Sequence, residues 1–121
     1  MRRIFADNYK VTQGYSASHG GLDIVGLSSK NIISPVAGIV KSSTMVPKSS
    51  GNITWEWGNY VRVDDAQGNR YFFCHMDSRA VKVGDKVQVG TKLGVMGNTG
   101  HSFGAHCHFE VRTKNNIRTN P

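Results

Sequence analysis

The chain has 121 residues, of which 38% are hydrophobic and 19% charged, with 14 glycines and 3 prolines. That length suits a single domain, residues 1–121, with a real core, and the composition excludes a disordered or collagen-like polymer. The formal charge is +7, yet the Lys and Arg residues are scattered, so no basic run or recognition helix points to nucleic acid, and an anionic polymer such as a bacterial wall suits the charge as well as plain solubility does.

No apolar run approaches the roughly 20 residues of a membrane helix. Met1, Arg2 and Arg3 make a basic start, but the residues after them are too polar for a secretory signal. The expectation is a mature or excised domain, or a protein that leaves the cell by another route. Cys74 and Cys107 fit neither a CxxC zinc pattern nor a disulfide-dense scaffold, and buried free thiols are expected.

In chain order, residues 2–11 read as an opening strand or lead-in. Residues 12–26, TQGYSASHGGLDIVG, are dense in Gly and Ser and read as a loop feeding a short apolar piece at 22–25. His19 and Asp23 fall here; Gly20 and Gly21 between them argue against a helix, and an exposed turn is the plain reading of the pair. Residues 32–40, broken at Pro35 and Gly38, read as strand, turn, strand. A polar loop over 41–51 follows, of the sort that often walls a binding site. Trp55 and Trp57 flank Glu56 and, on an extended segment, face one side; they line a groove or pack over the sheet edge.

Residues 60–63 and 71–75 form two strands joined by a hairpin at Gly68 and Asn69. Tyr71, Phe73 and His75 share one face of the second strand, Phe72 and Cys74 the other. Residues 81–95 alternate in short pieces broken at Gly84 and Gly90, and no stretch shows a sustained helical period. The reading is all-β: a compact antiparallel sheet of many short strands, with long loops walling a groove.

The stretch 97–112, GNTGHSFGAHCHFEVR, organises the rest. A Gly- and Ser-rich loop delivers the chain into a strand on which His106, His108 and Glu110 point one way and Cys107, Phe109 and Val111 the other. One side is core; the other carries groups that bind a metal or move protons. If the strands ending at His75 and starting at His106 are neighbours, His75 and His106 face the site together while Cys74 and Cys107 meet behind them. Of the five histidines, His101 has the plain reading of a surface residue. Zinc takes imidazole nitrogen and carboxylate oxygen tetrahedrally, and two His with one Asp leave the fourth position to water. Spacing alone does not say which histidines ligate.

Four segments in order bear on that choice: His19-Gly20-Gly21-Leu22-Asp23; Tyr71 to Met76; the glycine-punctuated run from Val83-Gly84-Asp85 to Gly97-Asn98-Thr99-Gly100; and His106-Cys107-His108-Phe109-Glu110. Over residues 12–121 the chain resembles the lysostaphin-type (LytM-like) zinc metallopeptidases, bacterial and phage enzymes that cut peptide bonds in peptidoglycan, with a duplicated-hybrid-motif architecture. The resemblance implies that His19, Asp23 and His108 bind one zinc ion. It makes His75 and His106 the unliganded catalytic histidines, their roles as base and acid left open, and Tyr15 a candidate to hold the reaction intermediate. Cys74 and Cys107 depart from the small or apolar residues common there. The implied partners are peptidoglycan peptides, met as a monomer outside the cytoplasm at the cell wall, by secretion or as a phage lysin or virion component, with no nucleic acid and no membrane span.

Three rivals stand beside this reading. A non-catalytic relative that binds wall or activates a hydrolase would typically lack a ligand, and here none is missing. A lipoyl-type carrier needs a lysine at a hairpin tip, typically beside methionine, which Lys92-Leu93 does not supply. Nucleic-acid binding rests on charge alone.

Overall fold

The computed structural model describes residues 3–102 and 104–121; Met1 and Arg2 of the basic start, and Phe103 in the glycine-rich loop, lie outside the described residues. Ten strands follow in chain order: β1 (Tyr9–Gln13), β2 (Leu22–Gly26), β3 (Asn31–Ile33), β4 (Gly38–Met45), β5 (Asn59–Asp64), β6 (Arg70–Arg79), β7 (Lys86–Val87), β8 (Lys92–Met96), β9 (Cys107–Arg112) and β10 (Arg118–Thr119). They join in one antiparallel sheet ordered β1-β2-β9-β6-β5-β4-β7, with β10 on β9 and β8 bridging β6 to β3. Among the described residues, helical turns are confined to the 3-10 segments Lys48–Ser50 and Ile53–Trp57.

The β5–β6 hairpin closes where Gly68 takes φ 83, a conformation that costs glycine little. The Asp65 carboxylate pins that turn, accepting from the amides of Gln67 and Asn69 and from the Tyr71 hydroxyl. Along β6 and β9 the alternation separates two faces. Tyr71 lies opposite Val111 and Phe73 opposite Phe109, and the Phe73 and Phe109 rings stack with centroids 5.2 Å apart. These side chains, with Ile24, Val61, Val63 and Cys107, form the buried core. The other face of β9 carries His108 and Glu110, and β2 sets Asp23 directly opposite His108.

The structure departs from the sequence-based expectations in four places. β4 extends through 41–45, so half of the expected polar loop is strand. Ser42, Ser43 and Thr44 are half-buried between exposed Lys41 and Met45, and hydroxyl residues also make favourable cross-strand pairs. Trp55 and Trp57 lie on a 3-10 turn rather than an extended segment. With three residues per turn, positions i and i+2 point in different directions. Trp57 packs on Tyr60 and Phe72, while Trp55 stacks on His101.

The third departure concerns His75. Strict alternation from Tyr71 and Phe73 would send it into the core. Instead, Val61 pairs with Phe73 and Asn59 with Met76, so two residues of β6 oppose one of β5. At this bulge His75 takes φ 64, and the local turn re-aims its ring toward the polar face. The fourth concerns the thiols. Cys74 pairs with His108 and so shares its side of the pleat, while Cys107 lies on the core side with Phe109; the two differ in face but remain neighbours, the Cys107 side chain hydrogen-bonding the Cys74 backbone. Both are free and buried. Burial pushes Cys74 well above the usual thiol range and Cys107 up to about 12, so neither is a thiolate.

Phe73→Ala, which empties the centre of the stacked core, should cost about 3–5 kcal/mol in denaturant unfolding. Val83→Ala, at a side chain 62% exposed, should change stability by less than about 0.5 kcal/mol.

Candidate metal centre and groove

The polar face opens into a groove of about 590 Å³ whose lining includes His19, Asp23, Trp57, His75, His106 and His108. His19 comes from the turn ahead of β2, Asp23 from β2 itself and His108 from β9. Asp23 is therefore a strand residue, not a loop residue. The turn needs its glycines: a Cβ at Gly21 would lie 2.5 Å from the Phe109 carbonyl and 3.1 Å from the His108 ring. One potential ligand atom from each of His19, Asp23 and His108 lies within 4.8 Å of the others.

The hydrogen bonds at the back of each ring decide what each ring offers the groove. Carbonyl oxygens only accept, so a ring nitrogen bound to one must carry the proton. His19 Nδ1–H donates to the Gly14 carbonyl at 3.0 Å, leaving Nε2 to face Asp23 Oδ2 at 3.3 Å. His108 Nε2–H donates to Glu110 Oε1 at 2.9 Å, leaving Nδ1 to face Asp23 Oδ1 at 2.9 Å. Two imidazole nitrogens thus converge with a carboxylate oxygen, a donor set that suits zinc with a position to spare.

His75 and His106 stand beside this set, their ring centroids 4.8 Å apart. His75 Nδ1–H donates to the Thr99 carbonyl at 2.8 Å, and His106 Nδ1–H to the Gly104 carbonyl at 2.7 Å. Each keeps Nε2 for the groove, and His106 Nε2 lies 3.5 Å from Asp23 Oδ1.

The electrostatics follow from this packing. Burial alone would raise Asp23, but the His108 hydrogen bond and the facing histidines hold its carboxyl below the usual range. Burial lowers His75 to about 4, against the raising effect of Thr99, so its ring is neutral at physiological pH. Burial would also lower His108, but hydrogen bonds to Asp23 and Glu110 push it up to about 9. Glu110 is 4% exposed. Burial would raise it, but its bond to His108 and the Arg112 guanidinium, at 2.8 and 2.9 Å, hold it below the usual carboxylate range.

Of the residues singled out at the rim, Trp57 lines the groove and Trp55 does not. Tyr15 is exposed and lies outside the lining. Sequence reasoning passed over His101, which lines the groove and stacks on Trp55 at 6.1 Å; its place in the loop ahead of His106 was the available signal. It also passed over Thr99, whose contacts with β5 and β6 no local pattern announces.

The raised His108 pKa has a definite sign. Between its ordinary value near 6.5 and about 9, folding stabilises the protonated ring, so metal must displace a proton from it. Calorimetric titration with zinc at pH 7, in buffers of different ionisation enthalpy, should show release of about one proton per ion, with affinity rising as pH rises. Heats independent of the buffer would contradict this.

Residues 17–121 match peptidase family M23. The chain is 29% identical over 127 residues to the glycyl-glycine endopeptidase ALE-1 of Staphylococcus capitis, across 95% of this chain and 33% of that protein. It is 31% identical over 108 residues to the murein hydrolase activator NlpD of Escherichia coli, across 87% of this chain and 26% of that one. The chain therefore spans about a third or less of the length of these curated relatives. Its fold is similar to that of the catalytic domain of lysostaphin from Staphylococcus simulans, with TM-score 0.78 and 24% identity, covering 93% of this chain and 89% of that one. The family match starts just ahead of the first candidate ligand and runs through all nine strands from β2 onward, and the chain belongs to peptidase family M23.

Proposed function

We propose that this chain is a zinc-dependent endopeptidase that hydrolyses peptide bonds in bacterial peptidoglycan, in stem or cross-bridge peptides, acting outside the cytoplasm with one zinc ion per chain. The observation that carries this reading is the convergence of His19, Asp23 and His108 within 4.8 Å, beside two further imidazoles whose Nδ1 atoms are tied to carbonyls and whose Nε2 atoms are left for the groove. Similarity to a glycyl-glycine endopeptidase supports the substrate class.

His19, Asp23 and His108 would hold the ion. Zinc in such a setting supplies Lewis-acid chemistry, polarising a carbonyl and acidifying water. The chain's own residues manage the protons. His75 and His106 each have Nδ1 tied to a carbonyl, so each exchanges a proton only at Nε2. Neutral His75 can accept one as water adds to the peptide carbonyl; the protonated ring of the pair then gives it to the departing amine as the C–N bond breaks. Among the described residues no Lys or Arg lines the groove. No guanidinium or ammonium there would anchor a terminal carboxylate, which favours cleavage within a peptide over trimming at its end.

The alternative is a non-catalytic role as a wall-binding or hydrolase-activating module, favoured by the similarity to a murein hydrolase activator. The two readings part in one assay. An endopeptidase clears a suspension of purified bacterial walls on its own, stops with a chelator, and loses at least about 100-fold in rate on His106→Ala. An activator leaves the walls turbid until a separate hydrolase is added. The masses of the released fragments identify the bond, whether glycine bridge or D-alanyl linkage.

Activity should also fall as the ligands protonate on acidification from about pH 8 to 5, in step with bound zinc. His75, lowered to about 4, contributes little to that decline. A flat profile with unchanged zinc content would count against the mechanism.

A further inference from the structure

After β8 the chain returns to the groove through the loop 97–106, and one residue in that loop makes three hydrogen bonds to two strands, β5 and β6. The Thr99 hydroxyl donates to the Met76 carbonyl at 2.6 Å and accepts from the Asn59 amide at 3.1 Å. The Thr99 carbonyl accepts the His75 Nδ1–H at 2.8 Å. A single residue thus holds the backbone just after His75 and the His75 ring itself.

His75 needs such a partner. Its φ of 64 lies in the left-handed region that few residues other than glycine adopt, and such a conformation persists only where its surroundings over-determine it. The fit around Thr99 is tight. A Cβ at Gly58 would fall 2.4 Å from the Thr99 hydroxyl oxygen, and one at Gly100 would fall 2.4 Å from the Gly58 amide nitrogen. The His101 amide donates to the Glu56 carbonyl at 2.9 Å. The loop is thereby interlocked with the turn that carries Trp57, one wall of the groove.

We propose that Thr99 is the positioning residue of His75: its hydroxyl locks the left-handed turn to the groove wall, and its carbonyl fixes the ring in the Nδ1–H tautomer with Nε2 open to substrate. The proposal rests on the reading of His75 as a proton carrier, and it predicts a division of labour within the residue. The hydroxyl keeps the carbonyl in place, and methyl volume alone does not suffice.

Thr99→Val keeps the volume and removes the hydroxyl, Thr99→Ser keeps the hydroxyl, and Thr99→Ala serves if valine is not accommodated. With the zinc-loaded protein and a defined wall peptide, Thr99→Val should lower kcat roughly 10- to 100-fold. KM should stay within about twofold of the parent value, and Thr99→Ser should recover most of the loss. A second measurement does not depend on turnover. In protein labelled with 15N-histidine, the His75 ring should show a single Nδ1–H tautomer in the parent and in Thr99→Ser, and a mixture in Thr99→Val. Retention of that single tautomer in Thr99→Val would overturn the proposal, as would parental kcat in that variant or an equal loss in serine and valine variants. If the parent hydrolyses nothing, the function proposed above fails while the tautomer comparison still decides the role of Thr99.

Discussion

The cross-strand pairing of Asp23 with His108 is the constraint on which the rest depends. Directly opposed residues of antiparallel strands put their side chains on the same face a few ångströms apart, and here that brings Asp23 Oδ1 to 2.9 Å from His108 Nδ1. Leu22 opposite Phe109 and Ile24 opposite Cys107 bury the neighbouring positions on the reverse face. A slip of one residue would send Asp23 into the core and Ile24 into the groove, so the apolar packing holds the polar register.

Around that pair, charge is placed with little waste. Glu110 is almost fully buried, and a lone carboxylate there would be costly. Arg112 on the same strand face and His108 two residues back satisfy both its oxygens, and Arg112 in turn lies over the rings of Trp57 and Phe72. The chain of contacts from His108 through Glu110 and Arg112 to Trp57 therefore links the candidate metal centre to one wall of the groove. The same logic orients the other rings: Gly14, Thr99 and Gly104 each lend a carbonyl to one histidine. Backbone acceptors do this without adding charge to a site that already holds two carboxylates.

The bulge at His75 shows how a sheet makes room for chemistry. Regular alternation would have spent that position on the core, behind Phe73. An extra residue in β6 turns the strand, and the loop 97–106 fills the space beside it with Thr99. The two cysteines fit this frame as small buried side chains. Burial keeps them as thiols, and neither belongs to the converging group of His19, Asp23 and His108.

Much of the fold class was legible in the chain itself. Short alternating runs, turn residues at Gly68 and Asn69 and the absence of a helical period dictate antiparallel strands, because side-chain alternation is a local property of extended backbone. The shared face of His106, His108 and Glu110 followed from the same rule. The candidate ligand set was nameable only through resemblance, since nothing local in HGGLD distinguishes a ligand pair from an exposed turn. Tertiary structure alone decided the opposition of Asp23 to His108, the outward turn of His75, the separation of Trp55 from Trp57 and the reach of Thr99 to both β5 and β6. Each of these depends on which strands become neighbours and in what register, and that is settled by burial summed over the whole sheet rather than by any stretch of sequence.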